Sequence, residues 1–179
     1  MILKKVRLSF PSLWEKTSFG DNPDKKFEAT FIFKKGDANH QTVLAELKKI
    51  SDTDFGGKLS GEKQCSFLKD GSKKEYDGYG PGTYTVYARN KNRFPTVDAD
   101  PTILVSPDDS PCKIYAGCYV NVKIGLYVWD NKFGKGVAAS LNGVQFAGNG
   151  EPFAKKADDD EEFETLDIAE EMTDSDFGF

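Results

Sequence analysis

The twelve residues from Tyr119 to Asp130 read YVNVKIGLYVWD and alternate without a break. Val120, Val122, Ile124, Leu126 and Val128 make one aliphatic row, and Tyr119, Asn121, Lys123, Gly125, Tyr127 and Trp129 make the other. A period of two belongs to an extended strand, because successive Cβ atoms of a strand point to opposite faces. The aliphatic row belongs in a core. The second row surrounds a cation with rings. Bases stack on Tyr and Trp at about 1–3 kcal/mol each and Lys meets phosphate, so that face suits an unpaired nucleic-acid strand. Aromatic residues also favour strands generally, and the same rings could cover a minor core against a helix.

Most of the preceding chain has the same character. KKFEATFIFKK sets Phe27, Ala29, Phe31 and Phe33 against Glu28, Thr30 and Lys34, with Ile32 as the one exception. Further strand signals lie at Ile2–Leu8, Gln64–Leu68, Thr83–Asn90, Ile114–Trp129 and Gly136–Phe146. The clearest helix is DANHQTVLAELKKI, capped by Asp37, with Val43, Leu44, Leu47 and Ile50 at helical spacing. One helix among five or six strands predicts a mainly β chain, a small barrel. GDNPDKK, DGSKKEYDGYGPGT and NKNRFPTVDADP are loops that carry basic residues and could flank a groove; SPDDSP is a fourth loop.

Charge divides the chain in two. All 24 Lys and Arg lie in residues 1–156 against 18 Asp and Glu, whereas residues 157–179 hold eleven acids and no base. The net charge of −5 therefore hides a basic body and an acidic tail. The boundary is placed at residue 153, giving one domain over 1–153 and a flexible, disordered acidic tail over 154–179. No apolar run reaches the roughly 18–20 residues that cross a bilayer, and the start MILKKVRLSF has charges where a secretion signal needs apolar residues, so a cytosolic location without a membrane is expected.

Catalytic constellations are missing from the sequence. His40 is the single histidine, in the first turn of the expected helix, where an exposed or capping role is expected. Neither a G-x-S-x-G elbow nor a G-x-x-x-x-G-K-[ST] phosphate loop occurs. Asp158–Asp160 with Glu161 and Glu162 lack the glycine-centred spacing of a calcium loop. Cys65, Cys112 and Cys118 match no zinc or redox spacing and read as reduced thiols packed in strands. The expectation is a binding module and not an enzyme, with no cofactor and no metal.

Thr83–Arg93 repeats the division seen at Tyr119–Asp130: Tyr84, Val86 and Ala88 on one side, Thr83, Thr85, Tyr87 and Arg89 on the other, then Lys91 and Arg93. If the two strands are neighbours, they form one basic, aromatic concavity. In it Tyr87, Tyr119, Tyr127 and Trp129 would stack on bases while Arg89, Lys91, Arg93 and Lys123 neutralise phosphates. Lys4, Lys5, Arg7, Lys34 and Lys35 would extend the positive track.

Four stretches, RLSFPSLWE, NKNRFPTVDAD, YAGCYVNVKIGLYVWDN and GKGVAASLNGVQF, resemble the single-stranded DNA-binding proteins of tailed bacteriophages, a similarity that spans almost all of residues 2–153. The resemblance implies an OB-fold, a five-stranded barrel with one principal helix. It also implies coating and protection of single-stranded DNA without sequence preference, during phage DNA replication and recombination, in the cytoplasm of the infected bacterial host. The ending TDSDFGF is similar to the acidic tails of such proteins, with Phe-Gly-Phe where the bacterial ones end in Pro-Phe. On that logic Asp174, Asp176, Phe177 and Phe179 dock phage or host replication proteins. A tethered polyanion also competes with DNA for a basic groove. The alternative reading is an interaction scaffold of the replication machinery that meets nucleic acid, RNA included, only incidentally.

Overall fold

A computed structural model describes residues 1–18 and 23–153. It contains seven strands, β1 (Ile2–Thr17), β2 (Lys26–Lys34), β3 (Leu68–Asp70), β4 (Thr83–Asn90), β5 (Thr96–Val97), β6 (Tyr119–Asn131) and β7 (Gly134–Gly148). The helices are α1 (Ala38–Asp54) and the short α2 (Gly61–Gln64).

Five strands close into a ring. β1 pairs antiparallel with β2 and with β6, β2 with β4, and β6 with β7. β4 then meets β7 in parallel through Ala88↔Ala139 and Arg89↔Ser140. β3 lies on the outer edge of β4 and β5 on that of β7. This closed Greek-key barrel with one main helix is an OB-fold, as the resemblance implied. Alternation fills its interior: Ala29, Phe31 and Phe33 of β2, Val86 and Ala88 of β4, Val120, Val122 and Ile124 of β6, and Val137, Ala139 and Leu141 of β7 share one buried core, while Phe27, also buried, packs apart from it against Phe94.

The structure departs from the expected elements in several places, and the strand expected from Ile114 starts only at Tyr119, after a turn at Ala116 and Gly117. β1 runs nine residues beyond the expected end at Leu8, because bulges carry it past Pro11: Lys5 and Phe10 adopt φ of 52° and 47°, and the register shifts between Leu3 and Val6 and between Ser9 and Ser12. The expected strand at Gln64–Leu68 is instead the end of α2, a connection and the start of β3. The thiols are free, but none of the three lies in a strand: Cys118, just before β6, is buried, and Cys65 and Cys112 are half-buried.

His40 is likewise buried, at 7% exposure, rather than solvent-facing. Its ring stacks on Tyr84 at 4.5 Å and its Nδ1 accepts the Gly36 N–H, while the expected cap holds through Asp37 Oδ1, which accepts the His40 N–H at 2.8 Å. α1 closes one end of the barrel through Val43 and Leu47.

The exception at Ile32 has a physical cause. Ile32 points outward yet is only 3% exposed, because the segment 71–82 crosses the outside of the barrel as a strap and sets Gly78 against Ile32 and Phe153. Phe153 is held in turn: its N–H donates to the Ala116 carbonyl, and its ring lies 4.4 Å from the Arg7 guanidinium. Gly117 permits this seating, since at φ +102° a Cβ there would stand 2.2 Å from the Glu151 carbonyl oxygen. Gly117→Ala is expected to lower stability by about 2–3 kcal/mol in denaturant titration. An unchanged midpoint would mean that the 149–153 segment is not seated on this turn.

Candidate nucleic-acid interface

The outer face of β2 and β4 presents cross-strand pairs Glu28↔Arg89, Thr30↔Tyr87 and Ile32↔Thr85. β1 continues this face with Ser9 opposite Thr30 and Ser12 opposite Glu28, and β3 with Lys69 opposite Thr85. The strap turns the face into a groove. One cavity of about 440 Å³ lies over Thr30, Thr85 and Tyr87, and another of about 620 Å³ over Ser9, Ser12 and Glu28. Phe10 and Tyr76 line both.

These two rings meet edge to face at 5.2 Å, Tyr79 stands 5.5 Å from Tyr76, and the Tyr79 hydroxyl donates to Ser9 Oγ at 3.4 Å. Phe10 remains 58% exposed and Tyr76 51% exposed. A non-glycine residue at φ 47° that keeps an aromatic ring in solvent is held there by its surroundings, here the bulge in β1. Lys69, Lys73 and Lys74 line the first cavity, with the Lys74 ammonium 5.9 Å from the Tyr76 ring centre and Lys73 paired to Glu62.

Sequence reasoning identified the loop DGSKKEYDGYGPGT as a basic flank but not its tyrosines as a wall. Phe10 gave no signal at all, because its presentation depends on a backbone bulge next to a proline.

Tyr87 and Arg89 fall on this face. The Tyr87 hydroxyl donates to Glu28 Oε2, and burial, reinforced by that carboxylate, pushes the phenol up to about 12. Lys91 and Arg93 continue from the end of β4 into a separate cleft of about 450 Å³ with Trp14, Lys16 and Phe27. There Lys91 pairs with Asp24 at 3.1 Å and the Arg93 guanidinium sits 5.7 Å from the Phe27 ring centre. Lys34 and Lys35 are exposed at the end of β2, with Lys35 6.0 Å from the Tyr84 ring.

The remaining expected residues occupy another side of the barrel. β4 and β6 are not neighbours: β7 separates them, so the single concavity expected from adjacent strands is not formed. The two outer rows meet only across β7, where Arg89 is in register with Ser140 and Ser140 with Gly125. The outward residues of β7 there are Gly136, Ala138 and Ser140, all small; Gly136 is covered by the Trp129 indole and the Gln64 backbone, and Ala138 and Ser140 are half-buried.

On β6, Lys123 is exposed and Tyr127 is 42% exposed. Trp129 is half-buried, its indole lying across Gly136, where a Cβ would come within 2.5 Å of Cζ2. Tyr119 is half-buried beneath Arg7, whose guanidinium is 5.4 Å from the ring centre. Arg7 is engaged in the fold, donating through Nε to the Gly117 carbonyl at 2.9 Å and through Nη2 to the Glu151 carbonyl at 2.6 Å. Lys4 and Lys5 are exposed at the first bulge, where their N–H groups donate to Asn39 Oδ1 and Asn121 Oδ1. Asp174, Asp176, Phe177 and Phe179 lie outside the described residues.

OB-fold barrels that bind oligonucleotides or oligosaccharides do so over their second and third barrel strands, and the groove described here lies on that face. The profile of the family described as "Enterobacter phage Enc34, ssDNA-binding protein" matches residues 1–174, and the chain belongs to that family. Protein p50 of Acyrthosiphon pisum secondary endosymbiont phage 1 is 36% identical, over 94% of this chain and 95% of its own. The single-stranded DNA-binding protein of bacteriophage Enc34, solved in complex with ssDNA, is similar with a TM-score of 0.69 and 25% identity, over 86% of this chain and 88% of that one. Gp2.5, a single-stranded DNA-binding protein encoded by bacteriophage T7, shares the fold with a TM-score of 0.55 at 16% identity, over 95% and 99% of the two chains.

The raised Tyr87 pKa ties this face to alkaline stability. A phenol protonated to about 12 in the folded chain and about 10 in the unfolded one stabilises fully below pH 10, and the contribution is lost as pH rises towards 12. Denaturant midpoints measured from pH 9 to pH 12 should therefore fall more steeply for the natural chain than for Tyr87→Phe. Parallel slopes would mean that Tyr87 is not buried against Glu28.

Proposed function

We propose that this chain binds single-stranded DNA without general sequence preference and coats it during phage DNA replication and recombination, as a binding protein and not an enzyme. The observation that carries this reading is the Phe10–Tyr76 groove on the β2–β4 face, in a chain similar to a protein solved in complex with ssDNA. Bases stack on Phe10, Tyr76 and Tyr87, while Lys69, Lys73, Lys74 and Arg89 neutralise phosphates. The strand then passes over the outer row of β7 towards Tyr127 and Lys123, or along β4 towards Lys91 and Arg93. Lys34, Lys35, Lys4 and Lys5 add general attraction at greater distance. Tyr119, Trp129 and Arg7 support the walls, since rings and guanidinium are already packed.

The acidic tail acts on the same groove in this reading. Phe153, the last described residue, lines the larger cavity, so the 26 residues from 154 start at its wall. Eleven acids tethered there reach a local concentration on the order of millimolar and compete with DNA for the cations. DNA displaces the tail, which then offers Asp174, Asp176, Phe177 and Phe179 to phage or host replication proteins. The setting is the cytoplasm of the infected bacterial host.

Fluorescence titration with oligo-dT, the matching duplex and RNA over a range of salt tests the binding. Affinity for oligo-dT should fall steeply with salt, and duplex should bind more weakly at every concentration. Phe10→Ala and Tyr76→Ala should each cost about 1–3 kcal/mol of single-strand affinity. Equal affinity for single strand and duplex, or no effect of either substitution, contradicts the groove; absence of oligo-dT binding favours the scaffold reading. Deletion of residues 157–179 should tighten binding at low salt and weaken the discrimination against duplex. If neither changes, the tail does not compete.

A further inference from the structure

The larger cavity combines two rings with two carboxylates. Phe10 and Tyr76 line it together with Glu28 from the barrel wall and Asp77 from the strap. Carboxylates repel phosphate, so within a groove lined elsewhere by lysines this is a place for a base and not for the backbone.

Glu28 is fixed in position. Its Oε2 accepts the Tyr87 hydroxyl and its Oε1 accepts Thr17 Oγ1 at 3.2 Å. An ionised carboxylate has about four acceptor sites, so two such bonds leave it able to accept more. Asp77 is exposed beside Tyr76 on the strap.

We propose that this cavity is a base-reading subsite that selects guanine, with Glu28 and Asp77 accepting from its N1–H and 2-amino group while its ring lies against Phe10 and Tyr76. The proposal rests on the single-strand-binding reading above and adds one position of preference to an interface that otherwise follows phosphate.

Base chemistry sets the order. An extruded base is read along its Watson–Crick edge and by stacking. Guanine offers two adjacent donors there. Adenine and cytosine offer one amino group beside an acceptor nitrogen, and thymine offers one N–H flanked by two carbonyl oxygens that face a carboxylate unfavourably.

The test is a fluorescence titration of the full chain with a short oligo-dT that carries one central deoxyguanosine, compared with deoxyinosine or thymidine at that position. Inosine keeps N1–H and O6 and lacks only the 2-amino group. The guanine oligonucleotide should bind about fivefold or more tightly than either, and Glu28→Gln and Asp77→Asn should each bring that ratio towards one. Asp77 is on an exposed loop, so its variant reports even if Glu28→Gln disturbs folding. Equal binding of all three oligonucleotides, or a ratio that survives both substitutions, overturns the subsite while single-strand binding stands; failure to bind any of them overturns both.

Discussion

The barrel closes through two residue pairs, Ala88↔Ala139 and Arg89↔Ser140, and much of the molecule's surface chemistry follows from that short joint. Beyond it, β4 turns to β3 for its remaining bonds, through Leu68↔Val86 to Asp70↔Tyr84. β3 leads directly into the strap, so the departure of β4 from β7 is what brings Tyr76, Tyr79, Lys73 and Lys74 over the outer wall. The inner partners at the joint are alanines, which let two strands approach with little side-chain volume between them. On the outside, β7 carries only the small Ala138 and Ser140 between the aromatic rows of β4 and β6, which remain separate sides of one surface.

The fold was largely legible because its core obeys a strict alternation. Ala29, Phe31 and Phe33, Val86 and Ala88, and Val120, Val122 and Ile124 all face inward as the period of two requires. The helix was legible from Asp37 and its apolar spacing. What failed was local. β1 passes Pro11 through backbone bulges that no side-chain pattern encodes, and the segment around Gln64 carries hydrophobic residues whether it is helix or strand. Strand neighbours were not legible either: the outward rows of Thr83–Asn90 and Tyr119–Asn131 look alike, and only the closed order of the barrel inserts β7 between them.

The candidate groove was half legible. Tyr87 and Arg89 were found by alternation, and the basic loop of the strap by its lysines. Phe10, Tyr76 and Tyr79 were not, since a ring's role there comes from a bulge and a crossing loop and not from periodicity. Ile32 was the one visible trace. An apolar residue on an otherwise polar row required a cover, and that cover is the strap. Charge was legible at the level of the whole chain, where basic body and acidic tail are separate blocks, and the family match continues past Phe153 to residue 174.

Position of the nucleic acid on the barrel is the central claim. Photo-crosslinking of an oligonucleotide that contains 5-iododeoxyuridine, with adducts mapped by mass spectrometry, reads it directly. The account predicts adducts on Phe10, Tyr76, Tyr79 and Tyr87, with any at Tyr127 accompanied by these. Adducts confined to Tyr127, Trp129 and Phe133, with none in the strap or on β1, would place the strand on the opposite row and contradict it.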